Sequence, residues 1–292
     1  MTLFSILGWA VVTLSSAFMR LNPDYEAPLE NQMIMGALVE TLDTTGYWIK
    51  VRAEDYTGWV ADMSLHSITD EEKDAWLSAR RWICTAEYSR VRTEPRKDAA
   101  PICDFTMGDL VRWTGVGRRG WVKIVLPNGV PGWVPAADVT DFATRTASLN
   151  PNAQDIIDLA CSFAGTPYMW GGNSIKHFDC SGLVKFCYYM NGLILPRNAS
   201  QQIKTGMPVE PGDYQPGDLL FFGKTDPVRV THVAIYAGDG KIVHSSKKVR
   251  YETLEFYGRE PVGAVRILGH ESNGIKFLKD DPYYFKQDGK QE

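Results

Sequence analysis

The sequence predicts a multidomain protein: two small all-β barrels followed by a domain that mixes helices with antiparallel β-strands. Three observations carry this. The first 142 residues match themselves at an offset of 72–74. Eight of the nine tryptophans (Trp9, Trp48, Trp59, Trp76, Trp82, Trp113, Trp121, Trp133) lie in that part, and only Trp170 lies beyond it. After Phe142 the spacing of apolar residues turns from strand-like to helical. The bulk numbers exclude several classes. With 292 residues the chain exceeds one ordinary domain, and 44% hydrophobic against 23% charged residues is not a disordered composition. A net charge of −4 speaks against nucleic-acid binding by bulk charge. Five cysteines leave at least one thiol unpaired within the chain, and no CxxC pair suggests zinc or a thioredoxin-type site.

Residues 1–18 are apolar and end in small residues, as a signal peptide does. No Lys or Arg precedes the apolar run, however, and Trp9 to Leu14 fits the first strand of the repeat, so this segment is read as strand. No other apolar run reaches 18 residues, so no spanning helix is expected. In the repeat, Met19-Arg20 and Pro23 fall on Val91-Arg92 and Pro95. Met35-Gly36 falls on Met107-Gly108, and Gly58-Trp59-Val60 falls on Gly132-Trp133-Val134. The offset drifts by single residues, as loop insertions would make it, and turn residues such as Thr44-Thr45-Gly46 and Pro127-Asn128-Gly129 separate the strands. The domain expectations are residues 8–68 for the first barrel and 82–142 for the second. Thr69-Asp70-Glu71-Glu72 has capping-box form and opens a linker helix over 69–81. The tryptophans are expected to fill the barrel cores. The turn-GWV endings resemble bacterial SH3 modules.

Residues 143–149 read as a small-residue linker. Asn150-Pro151 is expected to cap and open a helix carrying Ile156, Ile157, Leu159, Ala160 and Phe163, which Gly165 stops. This starts a third domain, 150–268, and residues 271–292 form a polar tail with no assigned role. Cys180 follows the glycine-rich stretch Thr166–Asn173 and opens the helical run Leu183, Val184, Cys187, Tyr188. Unpaired N–H groups and the positive end of the helix dipole there favour a thiolate and can also stabilise an oxyanion. Cys161 and Cys187 are expected as buried fillers, and Cys84 and Cys103, in the second barrel, as free thiols rather than a disulfide. Val230–Tyr236 and Lys241–Ser246 flank the turn Gly238-Asp239-Gly240 as a hairpin. Ala234 then faces His244 and His232 faces Ser246, so His232 and His244 are diagonal neighbours on one face. One imidazole can take the thiol proton while the other holds its far nitrogen. A metal on Cys180, His232 and His244 is the rival, and no carboxylate sits in a matching motif. His66, His177 and His270 lack such context.

The set TPYMWGG, FDCSG, LPRNASQQ, QPGDLLFF, THVAIYAG and KIVHSS, in this order, resembles NlpC-type (NlpC/p60) papain-like cysteine peptidases of bacterial cell-wall turnover. The resemblance implies an α+β papain-like catalytic domain, helices on an antiparallel sheet. It implies Cys180 as nucleophile, His232 as general base, His244 as the orienting residue and Tyr168 with its hydroxyl near the oxyanion. It further implies a substrate groove at Asp179, Ser181, Trp170, Asn198, Ala199 and Ser200, and no cofactor. The tandem modules plus this domain resemble γ-D-glutamyl-L-diamino acid endopeptidases, which cut murein stem peptides between D-glutamate and diaminopimelate or lysine. An amidase or acyltransferase on the same fold, or a non-catalytic wall-binding protein, is the alternative. The expected partner is peptidoglycan or its peptides, with no nucleic acid, no membrane span and a monomer whose SH3-like modules pack on the catalytic domain. The expected compartment is the bacterial envelope, periplasmic or secreted, with cytoplasmic recycling left open. Relatives that demand a free amino terminus resemble one another in a Glu of the first module and an Asp in LPRDAS. This chain has Pro28 flanked by Glu26 and Glu30 at the first place and Asn198 at the second, so weaker selection for a free amine is expected, and glycan-attached peptides become candidate substrates.

Overall fold

A computed structural model describes residues 8–54, 56–270 and 274–287. Residues 1–7 of the segment weighed as a signal peptide, and 271–273 and 288–292 of the tail, lie outside the described residues. The chain divides into two compact units, 1–148 with 279–292, and 149–278.

The first unit holds both barrels. The first is β1 (Gly8–Val12), β2 (Ala17–Arg20), β3 (Leu29–Met33), β4 (Leu38–Thr45), β5 (Trp48–Ala53), β6 (Tyr56–Ala61) and β7 (Leu65–Ile68), in the order β3-β2-β6-β5-β4-β1-β7. Helix α1 (Asp70–Ser78) follows, with the Thr69–Glu72 capping box in place: Glu72 N–H donates to Thr69 Oγ1 at 3.2 Å and Thr69 N–H to Glu72 Oε2 at 2.9 Å. It is shorter than expected, because Arg81 already belongs to the next strand. The second barrel is β8 (Arg81–Cys84), β9 (Tyr88–Arg92), β10 (Pro101–Thr106), β11 (Leu110–Arg118), β12 (Trp121–Val125), β13 (Pro131–Pro135) and β14 (Val139–Asp141). Its order, β10-β9-β13-β12-β11-β8-β14, repeats the first strand for strand.

The cores are mainly aliphatic, with Phe105 the aromatic member of the second. Val12, Met19, Val39, Ile49, Val51 and Val60 fill the first barrel, and Val91, Phe105, Val111, Ile124 and Val134 the second, where Met35 of the first barrel joins them. Of the nine tryptophans only Trp48 and Trp76 are buried, and Trp76 belongs to α1. The period of two explains it: in Gly58-Trp59-Val60 the glycine and valine face inward, so the tryptophan between them faces out. The glycine is obligatory, since a Cβ there would stand 2.4 Å from Met19 Cγ. The outward rings are covered by cations, Lys73 over Trp9 at 4.4 Å and Arg80 over Trp113 at 4.0 Å. The expected linker over 143–149 is instead mostly helix α2 (Phe142–Ser148), started by Asp141 accepting from Thr144 N–H at 2.8 Å and anchored by buried Phe142. The tail returns to this unit. Phe285 stacks on Phe142 at 5.0 Å, Tyr284 donates its hydroxyl to Glu54 at 2.9 Å, and the Tyr284 carbonyl accepts from buried Arg81.

The second unit begins with α3 (Ala153–Ser162). Its cap is Asn152, two residues later than expected, because Asn152 Oδ1 accepts from Asp155 N–H at 3.0 Å. Gly165 (φ +96°) follows the helix end. Next come β15 (Asn173–Ser174), β16 (His177–Phe178), α4 (Cys180–Met190), β17 (Leu193–Ile194), α5 (Ala199–Gln202) and β18 (Met207–Pro208). Then follow β19 (Leu219–Thr225), β20 (Val228–Gly238), β21 (Lys241–Ser246), β22 (Lys248–Thr253), α6 (Leu254–Tyr257), β23 (Gly263–Arg266) and β24 (Lys276–Phe277), which pairs with β17. The main sheet is antiparallel in the order β18-β23-β19-β20-β21-β22. Helix α4 is buried along its whole length, with Leu183 and Tyr188 fully enclosed. Each such side chain contributes about 1.5–3 kcal/mol by burial. Phe163, Phe178 and Phe186 form an aromatic cluster between α3, β16 and α4. Asp218 of the PGD turn accepts two bonds from Arg266, at 2.9 and 2.8 Å, and so fastens β19 to β23.

Candidate active site

The start of α4 is built around Asp179. As its N-cap, Asp179 accepts from Gly182 N–H at 2.7 Å, and also from Gly171 N–H at 3.0 Å and Ser181 Oγ at 3.2 Å. Arg197, buried from solvent, completes the set with Nη1 at 3.0 Å and Nη2 at 2.5 Å. Through these bonds, and a further one from Arg197 Nη1 to Ser181 Oγ at 3.0 Å, the Asp179 and Ser181 side chains hold the helix start. Gly182 has no substitute: a Cβ there would meet the Gly172 carbonyl oxygen at 1.9 Å. That close approach clamps the glycine loop onto the first turn of α4.

Cys180 occupies the first position of α4, where backbone N–H groups have no intrahelical acceptor. Its sulfur accepts from the N–H groups of Ser181 and Val233, the latter the neighbour of His232. Those bonds favour a thiolate as the sequence suggests, but burial outweighs them. With Asp179 adding to it, burial pushes the thiol up to about 11. All five thiols are free, with Cys187 fully buried and Cys161 half-buried.

The hairpin has the expected register. Ile235 faces Val243 and Tyr236 faces Ile242, which brings His232 and His244 together diagonally. His232 Nε2 and His244 Nδ1 are 2.7 Å apart. That is hydrogen-bond distance. Beyond it stands a residue that the sequence reading missed. His244 Nε2 lies 2.8 Å from Glu252 Oε1, and Glu252 Oε2 lies 3.3 Å from Arg250 Nη1. On β22 Arg250 faces His244 and Glu252 faces Ile242, so Glu252 is the diagonal neighbour of His244. Extending the hairpin count through a second turn at Lys247 would have found it.

This chain fixes proton positions. A carboxylate only accepts, so His244 donates from Nε2 and offers Nδ1 as a lone pair. His232 must then donate from Nε2, which leaves its Nδ1 as a base. Burial, then His244 and the Arg259 and Arg250 charges, pushes His232 down to about 3. Burial also lowers His244, against the opposing pull of Glu252, so the His244–Glu252 contact is a neutral imidazole on a carboxylate.

Tyr168 is held by its backbone, whose N–H donates to Lys247 O at 3.0 Å. Burial, then Cys180 and Asp179, pushes its hydroxyl up to about 12, so it remains a hydrogen-bond donor. Trp170 is 65% exposed. Asn198 caps α5, its N–H donating to Gln201 Oε1 at 3.0 Å, with Ala199 buried and Ser200 exposed. Gln202 ties α5 to α4 through the Ser181 carbonyl at 3.1 Å.

Each part of the chain is similar to known proteins. The NlpC/P60 family model matches residues 165–265, a bacterial SH3 domain model residues 87–140, and the bacterial dipeptidyl-peptidase SH3 domain model residues 19–65. A γ-D-glutamyl-L-lysine dipeptidyl-peptidase of Bacillus cereus is 28% identical over 235 residues, 76% of this chain and 68% of the relative. Dipeptidyl-peptidase 6 of Lysinibacillus sphaericus is 27% identical over 246 residues, 81% of this chain and 87% of the relative. A crystal structure of an NlpC/P60 family protein from Bacillus cereus superposes with TM-score 0.78 at 25% identity, covering 89% of this chain and all of that one. No helix among the described residues is long and apolar enough to cross a membrane. The chain therefore carries two bacterial SH3 domains followed by an NlpC/P60 domain, the architecture of a cell-wall cysteine peptidase.

Proposed function

We propose that this peptidase hydrolyses the γ-D-glutamyl–diamino acid bond of murein stem peptides in the bacterial envelope, with Cys180 as nucleophile and His232 as base. The observation that carries the reading is the hydrogen-bonded series His232–His244–Glu252 beside a cysteine at a helix start. The thiol and imidazole are both neutral at rest, so proton transfer accompanies attack. His232 Nδ1 takes the thiol proton as Sγ bonds to the γ-glutamyl carbonyl carbon. The oxyanion is met by the Tyr168 hydroxyl and N–H groups at the start of α4. Collapse breaks the C–N bond, and the amine leaves with the proton held by His232. Water, deprotonated by the same imidazole, then releases the acyl group and restores the thiol. In this reading Trp170, Asn198 and Ser200 flank the acyl side, and Asn198, a neutral amide, supplies no charged partner for a free ammonium.

Digestion of L-Ala-γ-D-Glu-diaminopimelate, its N-acetylated form and intact sacculi, read by mass spectrometry, tests this. All three are expected to yield a new diamino-acid amine, and Cys180→Ala none. Strict dependence on the free amine would remove the glycan-attached substrates from the reading. Cleavage at any other bond would overturn the assigned reaction.

A further inference from the structure

Next to His232 lies an open cavity of about 370 Å³ whose walls include Ser246, Arg250, Glu252, Tyr257 and Arg259. We infer that it binds the carboxylate at the far end of the leaving diamino acid, and so selects diaminopimelate over lysine. The inference rests on the peptidase reading and adds the identity of its leaving group.

Position comes first. The imidazole that protonates the departing amine must stand beside the leaving group. His232 lines this cavity, whereas Cys180, Tyr168 and Asp179 do not. The cavity is therefore taken, through His232, as the place that receives the far end of the departing amine's side chain.

Charge comes second. Two guanidiniums face one carboxylate, and both oxygens of Glu252 are occupied, by His244 and by Arg250. Arg250 Nε is buried without a hydrogen-bond partner among the described residues. The Arg259 guanidinium lies over the Tyr257 ring at 5.7 Å, and no ion pair engages it among the described residues. The cavity thus keeps positive charge to spare, which His232 also senses.

Chemistry comes third. The lysine side chain ends in an ammonium, which this charge repels. The diaminopimelate side chain ends in a carbon bearing both an ammonium and a carboxylate. A guanidinium fork matches that carboxylate.

The test compares kcat/KM on L-Ala-γ-D-Glu-meso-diaminopimelate and L-Ala-γ-D-Glu-L-Lys for wild type, Arg259→Ala and Arg259→Glu. Arg259 is exposed, so both variants are expected to fold, and their melting temperatures check it. The wild type is expected to favour diaminopimelate by about tenfold or more, the worth of one charge-assisted hydrogen bond. Arg259→Ala should bring the two rates close together, and Arg259→Glu should invert the order. Equal wild-type rates, a preference for lysine, or a preference that survives Arg259→Glu would overturn the inference alone. Cleavage of neither peptide by the wild type would overturn the peptidase reading and the inference with it.

Discussion

Glu252 shows most plainly what a single side chain decides. Its Oε2 faces Arg250 and its Oε1 faces His244. In Glu252→Gln the amide oxygen turns to Arg250, and the NH2 is left to donate to His244 Nε2. The His244 proton then moves to Nδ1, His232 becomes the acceptor, and the His232 nitrogen needed as a base carries a proton instead. We expect kcat to fall roughly 100-fold or more with KM little changed, the worth of lost general-base catalysis. A parallel loss of kcat and melting temperature would mark Glu252 as merely structural. His232 gives a second prediction. Its folded value of about 3 lies below the ordinary 6.5, so the unfolded chain binds more protons between these values. Its neutral form stabilises the fold fully above pH 6.5, and that contribution is lost as pH falls towards 3. At pH 5 the loss is roughly 2 kcal/mol. Chemical denaturation at pH 5 and 7 should show it in wild type and not in His232→Gln. The helix-start position of Cys180 and the His232–His244 contact were legible because a motif and a turn count placed them. Glu252 was not, since its partner lies one strand away and nothing marks it in the sequence. The helix-start N–H groups that favour a Cys180 thiolate are readable from sequence, and the burial that opposes them is not.

The elements show a similar division. Caps and turns written in local sequence, such as Thr69–Glu72 and the Asp239 hairpin, appeared where expected. Helix ends and the core membership of tryptophan did not, because tertiary contacts set them: Asn152 rather than Asn150 takes the cap, and the barrel cores close on Val, Ile and Met. The start of α4 depends on two contacts that no local rule reveals. Gly182→Ala puts a methyl 1.9 Å from the Gly172 oxygen, so the glycine loop must retreat from Cys180. We expect loss of activity together with a destabilisation of about 1–3 kcal/mol or more, measured by denaturant titration. Arg197→Met leaves Asp179 buried without its cation. It should cost roughly 3–5 kcal/mol, where the double change with Asp179→Asn should cost less than the sum. Additive losses would contradict the pairing.

At the scale of the whole molecule, the repeat foretold two barrels, which the structure builds with one strand order, and the motif set foretold the NlpC/P60 domain. The tail was illegible, because Tyr284 and Phe285 find their partners, Arg81 and Phe142, about 140 to 200 residues back in the chain. Truncation after Leu278 should lower the melting transition of the SH3 unit by several degrees and leave that of the catalytic unit in place, as calorimetry would resolve. The central claim, that Cys180 attacks the γ-glutamyl carbonyl under His232, is tested most directly by trapping the acyl-enzyme. Rapid acid quench of enzyme with L-Ala-γ-D-Glu-diaminopimelate, followed by peptide mass mapping, should find an L-Ala-γ-D-glutamyl thioester on the peptide containing Cys180 and none in Cys180→Ala. An adduct on another residue, or turnover that survives in Cys180→Ala, would contradict the account.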